Sequence, residues 1–284
     1  MKILCISFVL AIYFVSDDKK KTHQRKHNGM KVKLTGKNLD DIRPLLEKAG
    51  VEITDTDFEL VIPHGGDGAL LGAERDYPDI PKFPIRDART AKLCNAHSYA
   101  KQIAMLTEGT LNKTMMTKLE GSCPGGKLLA LNDIFIHNTD RVSAVRYRVW
   151  INDELYVAEV VGDGLCVATV HGSTAYYRSI THSIFRVGIG LAFNNSTEPT
   201  THLVLPEDSS IKVEIIRGPA LLAADNSPQI YPLKEGDSIS IHRHSRQAAV
   251  YGLEHFMCPK CRLLRHPNKD PFLNSNINFL SEIL

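Results

Sequence analysis

Apolar residues recur along this chain with a helical period in its first part and a strand period further on. From Met30, KVKLTG alternates apolar and polar positions and reads as a strand. NLDDIRPLLEKAG follows, with Ile42, Leu45, Leu46 and Ala49 spaced as one helical face, and Gly50 stops it. Asp40 or Asp41 is placed to cap that helix, with Pro44 in its first turn, where proline is tolerated. FELVIP is a second strand, and it runs directly into Gly65-Gly66-Asp67-Gly68. ALLGAERD then begins a helix, so the glycine turn falls at a strand-to-helix junction. IPKFPIR reads as a third strand, and HSYAKQIAMLTEG as a helix with Tyr99, Ile103 and Leu106 on one face.

After about residue 110 the pattern shortens to strands between turn residues. LLALNDIFIHN, SAVRYRVWIND, ELYVAEVV, THLVLP, SIKVEIIRG and SISIHRH all fit, with the LKEGDS turn before the last. Many short strands separated by turns predict a sandwich-like layer structure. The expectation is therefore α/β plus all-β. A small Rossmann-like α/β N-terminal domain (residues 30–109) precedes a β-sandwich-like C-terminal domain (110–247), and a tail (248–284) returns to the first domain.

The chain has 284 residues and is 43% hydrophobic and 23% charged, which is the profile of a globular protein with proper cores. A net charge of +2 excludes a dedicated nucleic-acid surface, since no basic cluster interleaved with aromatics is present. The six cysteines are too sparse for a disulfide scaffold and read as reduced thiols, which fits the cytoplasm. Ile3 to Val15 is an apolar run, short for a membrane span, with no small-x-small cleavage site after it. It reads as an upstream extension (residues 1–29) rather than a signal or anchor, and no membrane is expected as a partner.

Three stretches carry candidate chemistry. At GGDG, glycines allow close backbone approach, the helix start offers N–H groups to anions, and Asp67 is poised to accept a proton or face magnesium. The alternative is a polar turn residue that caps the helix. In LNDIFI, Asn132 and Asp133 interrupt an apolar strand. An amide reads an adenine edge and a carboxylate accepts from ribose hydroxyls, unless the pair is only a strand-edge turn. In GDGLCVATVHGSTAYYRS, Asp163 lies between glycines, and Gly172 to Tyr176 offer small side chains, hydroxyls and a ring; a plain capped loop is the other reading.

Taken in order and spacing, GGDG, LND and GDGL…GSTAYYRS resemble the NAD kinase family, as do the later LVLPEDSSIKVEI and LKEGDSISI. The likeness runs from roughly Met30 to the C-terminus. It implies ATP-dependent phosphorylation of the adenosine-ribose 2′-hydroxyl of NAD, with Mg2+ accompanying ATP, polyphosphate as another possible donor, and a homodimer or homotetramer. By the same resemblance Asp67 is the catalytic carboxylate and Gly68 lies against the substrate phosphates, and the turn itself adds the N–H of Gly66. Asn132 and Asp133 hold adenine and ribose, Asp163 meets the nicotinamide amide, and Thr174, Ala175, Tyr176 and Ser179 line the dinucleotide. Diacylglycerol and sphingosine kinases share GGDG but lack GSTAY, so a lipid kinase ranks second. A nucleotide-binding sensor without catalysis is the non-enzyme rival.

The sequence departs from the family in three places. RDARTAKLCNA stands where a glycine-rich GxLGF segment is usual, with only Leu93 in correspondence. His171 precedes GSTAY, and ADNSP, with Asp225 and Asn226, replaces a DG turn. Asp133 itself is a glutamate in many members. His255, Cys258, Cys261 and His266 form H-x2-C-x2-C-x4-H, which could bind zinc, but the run reads better as a basic helix, and no metal ligands are assigned. The HRHSR run (His242 to Arg246) reads as a solvated strand end.

Overall fold

The structure, a computed structural model, describes residues 29–265 except Arg141 and Thr200. The apolar run at Ile3 to Val15 and His266 lie outside the described residues. Among those described, no helix is long and apolar enough to cross a membrane.

The first part is a parallel sheet with helices packed on it. Strands Lys31–Gly36, Glu52–Ile53 and Leu60–His64 pair in the order second, first, third. The IPKFPIR segment runs beside Leu60–His64 but bridges it only at Lys82 and Ile85 rather than forming a continuous strand. Pro81 and Pro84 have no N–H to donate, so the ladder rests on the N–H groups of Phe83 and Ile85, given to the carbonyls of Val61 and Pro63. Across its other edge Lys82 donates its N–H to Ala249 and accepts from Tyr251. That places Ala248–Tyr251, paired in turn with Lys113–Met116, against the first sheet. The described part of the tail, up to residue 265, returns to the α/β part by backbone pairing.

The helix predicted after the first strand begins later than its acids suggest. Leu39–Asp41 forms a 3-10 turn, and the α-helix is Arg43–Lys48, with Ile42 as N-cap and no side-chain cap. Asp41 is turned instead to Arg89, whose Nε lies 2.7 Å from it. Ile42 and Leu46 are fully buried, as the helical spacing required.

The second part is two six-stranded sheets face to face. Alternation decides which residues meet. Val145, Tyr147 and Val149 from Val145–Ile151 point inward with Ile211, Val213, Ile215, Ile239 and Ile241, against Ile134, Ile136, Leu165, Val167, Leu191 and Leu222 of the opposing sheet. Removing these side chains from water is the main stabilising term, about 25 cal/mol per Å2. Tyr147 crosses the core to donate its hydroxyl to the Gly164 carbonyl at 2.8 Å, which ties the Asp163 turn to the facing sheet. The strand Gly164–Ala168 is buried throughout because its outer face is covered too. Cys166, Ala168 and Ala192 pack beneath Tyr177 and Phe185, and this cluster docks the helix Tyr176–Thr181 on the sheet.

Candidate active site

The GGDG turn follows the fully buried strand Leu60–His64 and opens the helix Asp67–Asp76, with Gly66 at the N-cap. The first N–H groups of a helix have no partner within it, so those of this turn face outward with the positive end of the helix dipole. Asp67 is more than half exposed. Its Oδ1 accepts from the Arg86 guanidinium at 2.7 Å, and Arg86 itself is buried. Arg86 is fixed from behind: Nε donates to the Phe256 carbonyl at 3.1 Å, and the guanidinium lies 3.8 Å over the Phe256 ring. Sequence reasoning missed Arg86. An arginine ending an apolar, proline-flanked segment was the available signal.

Asn132 and Asp133 sit where the central strand Asp133–Asn138 begins, both buried. Asn132 Oδ1 and Asp133 Oδ2 are buried without any hydrogen-bond partner. Such atoms are costly unless something else completes them. Burial pushes the Asp133 carboxyl up to about 7, helped by the nearby Asp225 and opposed by the Tyr176 N–H. Asp225, in the ADNSP turn, is a further residue that the sequence reading did not assign. It has a positive φ of 48° and accepts the N–H groups of Leu131 (2.8 Å), Asn132 (2.8 Å) and Asp133 (3.1 Å). Its neighbour Asn226 donates to the Gly68 carbonyl at 3.1 Å. The turn that shapes LND therefore also touches GGDG.

The GSTAY segment is clamped to LND. A Cβ on Gly172 would lie 2.0 Å from the Asn132 carbonyl oxygen, so only glycine fits. Thr169 donates its hydroxyl to the Leu131 carbonyl and its N–H to that of Asn132. Tyr176 is half-buried, its ring 5.4 Å from Phe135 and its hydroxyl accepting from Asn194 at 3.0 Å. Ala175 is half-buried as the cap of that helix. Asp163 accepts from Asn138 at 3.2 Å and Asn195 at 3.1 Å. Thr174 and Ser179 are exposed and spend their hydroxyls on local carbonyls, those of His171 and Tyr176. His171 faces the first motif. Burial lowers its imidazole below the ordinary value, while Asp67 raises it and Arg86 lowers it further.

GGDG, LND and GSTAY thus converge at one junction between the two parts. A glycine turn at a helix start, an exposed carboxylate and a buried pair of acceptors without partners are the features expected of a nucleotide-handling phosphotransferase. Comparison with known proteins agrees. Residues 131–253 match the family described as ATP-NAD kinase C-terminal domain. The chain is 30% identical over 206 residues to an NAD kinase of Acidithiobacillus ferrooxidans, covering 67% of this chain and 69% of that one. It is 27% identical over 209 residues to an NAD kinase of Methylibium petroleiphilum, covering 68% and 69%. In fold it is similar to yeast NADH kinase complexed with NADH (TM-score 0.73, 16% identity, 87% of this chain and 90% of that one). It is also similar to the NAD kinase from Archaeoglobus fulgidus in complex with ATP (TM-score 0.67, 19% identity, 82% and 99%). This chain belongs to the NAD kinase family.

Proposed function

We propose that the protein transfers the terminal phosphoryl group of ATP to the 2′-hydroxyl of the adenosine ribose of NAD, giving NADP. The observation that carries this reading is the pair of partnerless buried acceptors, Asn132 Oδ1 and Asp133 Oδ2, beside the GSTAY helix. An adenine amino group and ribose hydroxyls are donors of the kind those atoms lack. With the nucleoside held there, the 2′-hydroxyl faces the Asp67 turn. Asp67 accepts its proton as the phosphoryl group arrives, and Arg86 keeps the carboxylate in position. The N–H groups at Gly66 and Gly68 lie against phosphates. Asp163 meets the nicotinamide amide, and Thr174, Ala175, Tyr176 and Ser179 line the dinucleotide.

Magnesium fits as a companion of the donor nucleotide. Asp67 offers it a hard, exposed oxygen, and such an ion is held mainly by phosphates and water. It would neutralise phosphate charge. A homo-oligomer is supported by the sheet edge at Glu154–Gly162, where Leu155 and Tyr156 are exposed on an edge strand. Cysteines too sparse for a disulfide scaffold suit the cytoplasm.

The test is a coupled assay for NADP formation from NAD and ATP-magnesium, with NADH, polyphosphate and a diacylglycerol run in parallel. Turnover of NAD or NADH supports the reading. Binding of NAD without turnover makes the protein a sensor, and phosphorylation of the lipid makes it a lipid kinase; either result ends the proposal.

A further inference from the structure

RDARTAKLCNA and the histidine just past it meet the C-terminal tail in a cluster of three thiols and one imidazole. Cys94, His97, Cys258 and Cys261 present their ligand atoms within 4.8 Å of one another. Cys94 Sγ is 3.3 Å and Cys261 Sγ 3.5 Å from His97 Nδ1. In a tetrahedral zinc site, bonds of about 2.3 Å to sulfur and 2.0–2.1 Å to nitrogen set ligand atoms roughly 3.5–3.8 Å apart. The pattern is two pairs, C-x2-H and C-x2-C, drawn from opposite ends of the folded chain. His255, a member of the H-x2-C-x2-C-x4-H run, stands one step back.

We infer that Cys94, His97, Cys258 and Cys261 bind one structural zinc ion that staples the 87–98 loop to the C-terminal tail. The surroundings are those of a ligand set rather than of loose thiols. Cys258 and Cys261 are buried, and the Cys94 N–H points at Cys261 Sγ, 3.3 Å away. His97 presents Nδ1 to the cluster while its Nε2 lies 2.8 Å from His255 Nδ1. The opposite nitrogen of His255 is 3.5 Å from Glu254. A ligating imidazole characteristically gives its other N–H to such a partner, which fixes its tautomer and orientation. Three thiolates and a neutral imidazole leave a zinc site with one negative charge, and Lys260, Arg262 and Arg265 follow on the adjoining helix. The site closes with four protein ligands, so it is structural.

Its position gives it a task. Phe256 and Met257, directly before Cys258, hold Arg86 through the Phe256 carbonyl and the Met257 sulfur, and Arg86 holds Asp67. Pinning the tail pins that arginine. Cys94 in RDARTAKLCNA and His97 just past it then have a structural task in a segment that otherwise reads as a weakened loop.

The inference is independent of the reaction, because metal content is read without turnover. The full chain, purified under reducing conditions without chelator, is expected to carry one zinc per chain by mass spectrometry of the elements. Metal-stripped protein should take up Co2+ with the visible bands of a tetrahedral thiolate site, displaced by zinc. C94S/C261S should lose at least tenfold in zinc content, while C123S, in a distant strand, keeps it. Absence of zinc together with no Co2+ uptake overturns the inference. So does zinc retained by C94S/C261S, stoichiometric iron in its place, or a disulfide among Cys94, Cys258 and Cys261 in protein purified anaerobically. Should the double variant fail to fold, the Co2+ titration of the unaltered chain decides.

Discussion

The two halves of the site hold their acids in opposite ways. In the α/β part Asp67 stands at a helix start, more than half exposed, gripped on one oxygen by a buried arginine that is itself anchored on the returning tail. In the β part Asp133 is 4% exposed at the head of a central strand, and its turn is shaped by three backbone N–H groups converging on Asp225. One acid is kept wet and aimed. The other is kept dry, and one of its two oxygens, Oδ2, has no donor among the described residues. A group that must exchange a proton with a substrate needs access and a fixed direction. A group that must recognise hydroxyls gains from desolvation, because each unmade bond then penalises the wrong ligand. On the proposed function, the difference separates a reacting acid, Asp67, from a reading acid, Asp133, although both lie in short motifs of glycine and acidic residues.

The sharpest way to break that contrast is to remove the charge of the reacting acid alone. Asp67→Asn keeps the shape and the contact with Arg86. It is expected to lower kcat by about 10^3-fold, within the range for loss of a general base. The dissociation constant for NAD, measured by calorimetry, should move less than about threefold, since only interactions made in the transition state are lost. Parallel losses in binding and turnover would place Asp67 among the recognition groups and erase the distinction.

A second test asks whether the halves are one structural unit. Glu74, on the Asp67 helix, is buried between Lys82 of the α/β part and Lys118, which lies beyond the strand Lys113–Met116. Lys118 Nζ is 2.8 Å from Glu74, and Lys82 also contacts it. Glu74→Gln strands two ammonium groups in a dry site and should cost about 3 kcal/mol, measured by urea unfolding near neutral pH. Burial already holds Lys82 below its ordinary value. Folding therefore favours its neutral form, and the variant should regain stability as pH rises towards the lysine range. A loss confined to one of two separate transitions would mean that the halves are not coupled there.

How far these features could be read in advance depends on whether their cause is local. The GGDG junction, the Leu60–His64 strand and the alternation of Val145–Ile151 follow from neighbours in sequence, and all were legible. Ala220–Ala224 was not: ALLAA is a helix-forming string, yet it lies between two strands of a sheet because Asp133–Asn138 and Tyr231–Leu233 flank it. Arg86 and Asp225 were missed as site residues for the same reason, since their partners lie far along the chain. The metal ligands show the limit most plainly. Two cysteines of the cluster stood in a visible C-x2-C, but that run read better as a basic helix, and only the returning tail brings Cys94 and His97 to them. Asp40 and Asp41 mark the converse, a good local cap signal overridden by the contact of Asp41 with Arg89.

The reading acid can be sharpened by pH. The Asp133 carboxyl is pushed up to about 7, chiefly by burial and then by Asp225. A carboxyl raised on folding favours the protonated form, so its stabilising contribution is complete below the ordinary carboxylate range and is lost as pH rises through about 7. Asp133→Asn should flatten that component of the pH–stability curve of the ligand-free protein. Ribose hydroxyls donate best to the ionised form, so affinity for NAD should rise about tenfold between about pH 6 and pH 8, following the ionised fraction. The variant should bind more weakly and without that slope. A slope that survives in Asp133→Asn assigns the titration to another group.

The smallest effect is expected where family likeness and geometry disagree about importance. Ser179 falls in the dinucleotide segment by resemblance, but its side chain is exposed and its hydroxyl donates to the Tyr176 carbonyl at 2.7 Å, within its own helix. Tyr176, three residues earlier, is half-buried, packed at a tilt against Phe135 and bonded to Asn194. If the β part reads its ligand through buried, strand-borne groups, Ser179→Ala should change KM for NAD by less than about twofold, as exposed substitutions generally do. Tyr176→Ala should change it far more. A tenfold rise in KM for Ser179→Ala, with the helix intact by circular dichroism, would show that the exposed face of this helix closes over the dinucleotide. The reading half would then share the wet, helix-borne character of the reacting half.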